Sequence, residues 1–414
     1  MLGKGLSQQE KDTRRNIAFY SMKEGAYFAA MPFVNGTLVQ LFLAHKGVPA
    51  ERIGLFNTVV YVTNIATTML LSNLAEKRPN ALRQCDRLIL LQALLYLAYL
   101  PAALLPGLGS NGVFWILMPA ASVQIVLYAC KYIYEYKLFY QIIDVNRLGM
   151  MESATGIGIG VMGILCSTFC AALIERGTGD APFLIGMLLS AALLVAAFAC
   201  NRSLRVVNHT FDEERRAPMG FSQVFAMMRE PIFRRFVVPN TLRGVTIGIT
   251  NSIALIALGM GYSEVVTAKL AVMCAGGYIV ASFAYYFMDR WFRQTTICLI
   301  GSALLMAILF LPRSNDTLFL VLFLIAYFGR VLVDHGVPVM VFRMIDPEIA
   351  GAYNAWRNVL SSLTAAGVSY AVGALIGRVP PLALLIPCAG AYGASMVWYA
   401  LLYRKYERHA GAQG

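Results

Sequence analysis

The sequence predicts an all-α protein that crosses a membrane many times, with twelve transmembrane helices arranged as two six-helix bundles. Three observations indicate this fold: the composition, a series of long apolar runs, and a weak match between the two halves of the chain. The 414 residues are 58% hydrophobic and only 14% charged, whereas a soluble chain carries about a quarter charged residues. A lipid bilayer is therefore the expected surrounding.

Twelve apolar runs have roughly the 20 residues that a helix needs to cross the hydrocarbon core. Helices are expected because a helix satisfies its own backbone hydrogen bonds in lipid. Turn signals such as Pro79 and Pro106-Gly107 separate the runs. The predicted first to twelfth spans are residues 16–44, 51–74, 86–105, 113–139, 151–174, 181–200, 232–258, 264–288, 295–311, 316–342, 352–376 and 381–403.

The two halves of the chain align weakly with each other. Ile143-Asp144 matches Ile345-Asp346, and at a slightly longer spacing Lys23 of the first span matches Arg243 of the seventh. Two parallel six-helix repeats are a known arrangement among transporters. The predicted units are an N-terminal bundle (1–200), a cytoplasmic linker (201–231) and a C-terminal bundle (232–414).

The net charge of +12 is concentrated in short loops at one face of the predicted bundle. Basic loops mark the cytoplasmic side, so the chain is expected to be a multi-pass protein of the cell (plasma) inner membrane with both termini in the cytoplasm. Nucleic acid is not an expected partner. The eight cysteines contain no CxxC pair and are interpreted as packing residues, so neither a metal nor a cofactor is expected.

Ionised side chains lie deep inside several spans, where one charge costs from about 2.5 to more than 10 kcal/mol. Lys23 and Arg243 each follow a pair of arginines by about nine residues, which places them about 13 Å inside the membrane, near its midplane. We expect both to face a central cavity and to bind an anionic cargo. The alternative is that each pairs with a nearby carboxylate, such as Glu24, and holds helices together.

The fourth and tenth spans each carry a cation and an acid four residues apart, a spacing that places the two side chains on one helix face. These pairs are either static or exchange partners during transport. The predicted substrate-binding residues are Lys23, Arg243, Arg330, Tyr27 and Tyr132, because tyrosine suits an amphipathic organic cargo. The predicted ion-coupling residues are Glu24, Asp334, Glu135 and His335, and Lys131 is a predicted gating residue.

Two loops resemble the G-x-L-x-D-R-x-G-R-R motif of the major facilitator superfamily. The second copy reads Asp289-Arg290-Trp291-Phe292-Arg293; the first places Glu76 and Lys77 at the acid and base positions but lacks both glycines. The resemblance covers nearly the whole chain. It implies that Glu76, Lys77, Asp289, Arg290 and Arg293 latch the two halves on the cytoplasmic side. The alternative is that these charges only set the topology.

The predicted function is secondary active transport of a small organic solute, anionic or zwitterionic, by proton-coupled symport, with sodium as the alternative ion. Enzymatic activity is not expected, since no catalytic motif such as HExxH is present. Two other functions remain open: a proton-coupled exporter of amphipathic compounds, and a non-transporting membrane sensor. Drug exporters of the resembled family carry a glycine-rich Gly-Pro pattern in the fifth span. Here the glycines are present and allow close helix packing, but no proline follows them: Gly156, Gly158, Gly160 and Gly163. A monomer is expected.

Overall fold

The computed structural model describes residues 8–71, 80–105, 107–143, 148–177, 179–207, 229, 231–312, 314–344 and 347–402. Within these ranges the chain forms sixteen α-helices and three short 3-10 helices, and no β-strand. The all-α prediction is therefore confirmed for the described part of the chain. The predicted linker lies mostly outside it, so the division at 201–231 stays a prediction.

Nine α-helices occupy the first six predicted spans. The first and third spans are interrupted, and the other four are single helices. The nine are α1 (Gln8–Ala30), α2 (Pro32–Asn35), α3 (Thr37–His45), α4 (Ala50–Leu71), α5 (Ala81–Leu95), α6 (Leu100–Leu104), α7 (Ser110–Ile142), α8 (Leu148–Arg176) and α9 (Ala181–Arg202).

Seven α-helices occupy the remaining six predicted spans. The ninth span ends, and the twelfth span begins, with a 3-10 helix. The seven are α10 (Pro231–Asn251), α11 (Ile253–Gly259), α12 (Glu264–Trp291), α13 (Gln294–Leu305), α14 (Asp316–Met344), α15 (Pro347–Leu375) and α16 (Ile386–Leu402).

By length and hydropathy, nine helical segments of the described chain are able to cross a membrane, and the bent pair α10–α11 makes a tenth. The apolar segments Gln294–Phe310 and Val359–Leu375 are shorter. The structure thus confirms a polytopic helical membrane protein, and the count of twelve spans stays a prediction.

The buried apolar side chains form two large clusters. One contains Tyr27, Phe42 and Phe183 and is built from residues 26–197 together with Leu255 and Ala268. The other is built from residues within 249–402. Each half of the chain therefore has a largely separate core, and Leu255 and Ala268 of the second half join the core of the first.

Close helix contacts join the halves where glycines leave room. A Cβ added to Gly54 of α4 would lie 2.9 Å from the Gly373 Cα of α15, and one added to Gly160 of α8 would overlap the Ile279 side chain of α12. On another face of α8, a Cβ at Gly158 would lie 2.6 Å from the Ser21 carbonyl oxygen of α1. The close packing predicted for the glycines of the fifth span is confirmed.

The first and seventh spans are both broken. Pro32 follows the end of α1, where it has no amide hydrogen to donate, and Gly36 adopts an extended conformation before α3. Between α10 and α11 the axis bends by 49°. Such breaks release backbone carbonyls within a span, and polar side chains must satisfy them.

Candidate functional site

Four charged side chains of α1 and α7 form a closed ring, which we call the N-terminal quartet: Lys23, Glu24, Lys131 and Glu135. Lys23 lies 2.9 Å from Glu24 and also contacts Glu135, while Lys131 lies 3.1 Å from Glu24 and 2.9 Å from Glu135. Each cation thus contacts both acids, and the net charge is zero. The side chains are at most 6% exposed, so the quartet is sealed from its surroundings.

Aromatic and amide groups surround the quartet. The Lys131 ammonium lies 3.6 Å from the centre of the Tyr27 ring, and Lys23 lies 4.1 Å from that of Tyr20. The Tyr27 hydroxyl donates to Gln92 at 2.7 Å. Gln92 and Gln124 each donate to the other's backbone carbonyl, which ties α5 to α7. Cation–π contacts of desolvated ammonium groups add about 2 kcal/mol each.

The C-terminal half carries a smaller group on α10 and α14, the C-terminal triad of Arg243, Arg330 and Asp334. Arg243 Nε donates to Asp334 at 2.6 Å, and Arg330 Nε lies 3.5 Å from the other carboxylate oxygen. The side chains are 15–20% exposed. With two cations and one acid, the triad has a net charge of +1.

Steric crowding leaves no room for a charged side chain at position 244, directly after Arg243. The residue that follows it is Gly244, where a Cβ would overlap the Ser361 carbonyl oxygen of α15. In the quartet, by contrast, Lys23 is followed by Glu24. Among the described residues, Asp334 is the single carboxylate in ionic contact with either arginine of the triad.

The structure tests the expected geometry of these charges. The two pairs four residues apart are present, Lys131 with Glu135 and Arg330 with Asp334. Lys23, however, has no exposed surface and belongs to the quartet, whereas Arg243 belongs to the triad. The expectation that both cations point into one cavity was wrong, because Glu24 and Glu135 neutralise Lys23 locally. The roles proposed for these residues in solute binding and ion coupling stay predictions.

Two further candidates lie beside these groups. Tyr132 is 44% exposed and stacks on Tyr128 with 6.2 Å between ring centres. The His335 Nε2 atom lies 3.0 Å from the Ser282 hydroxyl of α12. The His335 ring also contacts the rings of Tyr278 and Tyr285, so this histidine connects α14 to α12.

The residues of the two loop motifs are partly described. Glu76 and Lys77 lie outside the described residues, as does the side chain of Arg290. Asp289 accepts a hydrogen bond from Gln294, and Arg293 is the residue before the first turn of α13. The latch function stays a prediction.

Sequence reasoning missed a polar network at the predicted external ends of the halves. Gln40 of α3 donates to the Asn251 carbonyl at 2.6 Å, at the break between α10 and α11. Tyr61 of α4 accepts a hydrogen bond from the Asn251 side chain. At the end of α3, His45 lies 3.4 Å from Glu264 of α12. The available signal was the presence of uncharged polar residues, such as Gln40 and Asn251, within apolar runs.

These features define a class: a polytopic helical membrane protein whose two halves enclose ionic groups at equivalent positions, the arrangement of a membrane transporter. The model of the Major Facilitator Superfamily matches residues 18–369. The chain belongs to this family, and the predicted family is thereby confirmed.

Solved structures share the fold. The nucleoside transporter NupG is 14% identical with a TM-score of 0.62, covering 95% of this chain and 100% of that one. A bacterial homologue of the iron transporter ferroportin in an outward-facing state is 13% identical with a TM-score of 0.65. The match covers 95% of this chain and 99% of that one. At such identities the likeness concerns the fold alone. A comparison with curated protein sequences found no match.

Proposed function

We propose that this transporter moves a small organic solute with a negative charge, anionic or zwitterionic, and that Arg330 and Arg243 provide the charge that attracts it. The observation that supports this proposal is the net charge of +1 on the partly exposed triad. An uncompensated guanidinium inside a membrane is expensive unless an anion meets it. The quartet offers no such attraction, because its charges cancel.

The proposed mechanism is alternating access, in which bundles 1–200 and 232–414 rock about the solute with both termini in the cytoplasm. The contacts of Gln40 and His45 with the other half support an externally closed state. The close glycine contacts between α4 and α15 and between α8 and α12 support sliding of one bundle past the other. Tyr132, which is 44% exposed, is proposed to contact the organic part of the solute. The expectation that Tyr27 also contacts the solute was wrong, because Tyr27 has no exposed surface and packs against Lys131.

Proton coupling is proposed to involve carboxylates that already contact two cations each: Glu24, Glu135 and Asp334. A proton that neutralises one of them frees a cation to change partners. His335 is a secondary candidate. Symport predicts that an inward proton gradient drives uptake; export of amphipathic compounds predicts the opposite direction, and a sensor predicts binding without counterflow.

The test begins with a thermal-shift screen of organic acids, amino acids, nucleosides and sugars, followed by proteoliposome uptake of any stabilising compound. Arg330→Gln is expected to reduce uptake at least about tenfold, since a hydrogen bond to a charged group contributes about 1.5–3 kcal/mol. Arg378→Gln, at an exposed position beyond α15, is the matched control and should retain uptake. Stabilisation by uncharged compounds alone, or full uptake by Arg330→Gln, would contradict the proposal.

A further inference from the structure

A small cavity lies inside the C-terminal half, between α10, α13, α14 and α16. Its volume is about 10 Å³, the room that one water-sized species needs. The triad forms part of its wall, and hydroxyl groups form another part. The lining residues that matter here are Arg243, Thr246, Ser302, Arg330, Asp334 and Tyr392.

Within the described part of the chain, three polar atoms of this lining have no hydrogen-bond partner of acceptable geometry: Arg330 Nε, Ser302 Oγ and the Tyr392 hydroxyl. They come from three different helices, α14, α13 and α16. Ser302 is 1% exposed and Tyr392 is 2% exposed. Buried polar atoms without partners are rare, and several around one cavity indicate that something polar occupies it.

The chemistry of these atoms restricts the occupant to an acceptor. A guanidinium N–H can only donate, and both hydroxyls are able to donate. Asp334 also lines the cavity, but it is shared between Arg243 at 2.6 Å and Arg330 at 3.5 Å. Among the described residues, one of the two positive charges therefore has no counter-charge. A side chain cannot supply that counter-charge from position 244, where a Cβ would overlap a backbone oxygen.

We infer that this cavity is a binding site for one small inorganic anion of halide size, held by Arg330 Nε and the hydroxyls of Ser302 and Tyr392. In the C-terminal half the anion supplies the negative charge that balances the triad, as Glu24 does in the quartet. A single water would satisfy the hydrogen bonds, yet it would leave the net charge of +1 uncompensated in the membrane interior. The bound anion neutralises the same charge that is proposed to attract the solute, so an anionic solute that reaches the triad is expected to compete with it.

The test uses purified full-length protein, prepared without chloride and without any candidate solute. Thermal unfolding is followed while sodium chloride or sodium bromide replaces sodium gluconate at constant ionic strength. A saturable rise of the unfolding temperature with chloride and bromide, absent with gluconate, is the expected result. Overlapping curves for all three salts would overturn the inference and leave a water in the cavity.

Single substitutions test whether the chloride response arises at this cavity. Ser302→Ala and Tyr392→Phe each remove one hydroxyl and are expected to weaken the apparent chloride affinity about tenfold, the loss of one hydrogen bond to a charged group. Ser395→Ala is the control within the same lining, because the Ser395 hydroxyl already donates to the Ala391 carbonyl at 2.9 Å. Tyr96→Phe, in the other half, controls for a lost tyrosine hydroxyl.

Both controls should retain the chloride response, and equal loss in Ser302→Ala and Ser395→Ala would overturn the assignment of the site. Since no solute is present, the result is independent of the uptake experiments. Failure of chloride binding leaves the proposed transport function intact, and failure of the solute proposal leaves the anion site intact.

Discussion

The N-terminal quartet makes a quantitative prediction about stability. Replacing Lys131 by methionine keeps much of the side-chain volume but removes the ammonium that lies 3.1 Å from Glu24 and 2.9 Å from Glu135. Two buried carboxylates then share Lys23 alone. Removing one partner of a buried ion pair costs about 3–5 kcal/mol, and loss of the contact with the Tyr27 ring adds up to about 2 kcal/mol.

The size of the expected loss of stability in Lys131→Met depends on the burial of Glu24 and Glu135. Both acids of the quartet are at most 6% exposed, so water cannot solvate the carboxylate left with excess charge. Lys46→Met is the matched control, since Lys46 pairs with Asp180 at 2.5 Å but Asp180 is 35% exposed. This pair is partly open to solvent, so its contribution is expected to be closer to the value of about 0–1 kcal/mol that is typical of surface pairs. The difference between the two variants isolates the effect of burial.

A second substitution tests whether the four charges act as a unit. Glu24→Gln alone leaves an excess cation and should also destabilise by about 3–5 kcal/mol. Combined with Lys131→Met, it leaves the neutral pair of Lys23 and Glu135. The double variant should therefore be less destabilised than the sum of the single variants, by about 0.5–3 kcal/mol.

The assay is equilibrium unfolding in mixed micelles, followed by far-ultraviolet circular dichroism, for the wild type, the single variants and the double variant. Two results would refute the reasoning. The first is a Lys131→Met protein that loses no more stability than Lys46→Met. The second is a double variant whose loss equals the sum of the single losses, which would show that the charges do not compensate one another.

Two other predictions concern the contacts between the halves. Gly54→Ala should lose about 1–3 kcal/mol and slow transport, because its Cβ would meet the backbone of α15 at 2.9 Å; Gly367→Ala, with nothing within 4 Å, should be neutral or gain up to about 1 kcal/mol. Unfolding and uptake assays compare the two, and equal effects would contradict the packing argument. His45→Ala removes the contacts with Asp180 and Glu264 and should weaken external closure. Labelling of Gln40→Cys by an external thiol reagent should then be faster in the His45→Ala background than in Gln40→Cys alone, and equal rates would reject this explanation.

The sequence by itself determined the class of fold. Apolar runs of about 20 residues admit few structures other than helices in lipid, and the structure places helical segments at the predicted spans. The sequence also determined the contacts between Lys131 and Glu135 and between Arg330 and Asp334, because residues four apart share one face of any helix. Local geometry is sufficient for both conclusions.

Only the tertiary structure decided how the charges are shared between helices. Lys23 and Arg243 align in the two halves, yet one is neutralised by two acids and the other belongs to a triad with a positive excess. The contact of Lys23 with Glu135 joins residues 112 positions apart, a relation that depends on how α1 packs against α7. The cavity beside Arg330 likewise exists only where four helices meet. Helical periodicity fixes neighbours within one helix, whereas packing between helices fixes which charges are left without a partner.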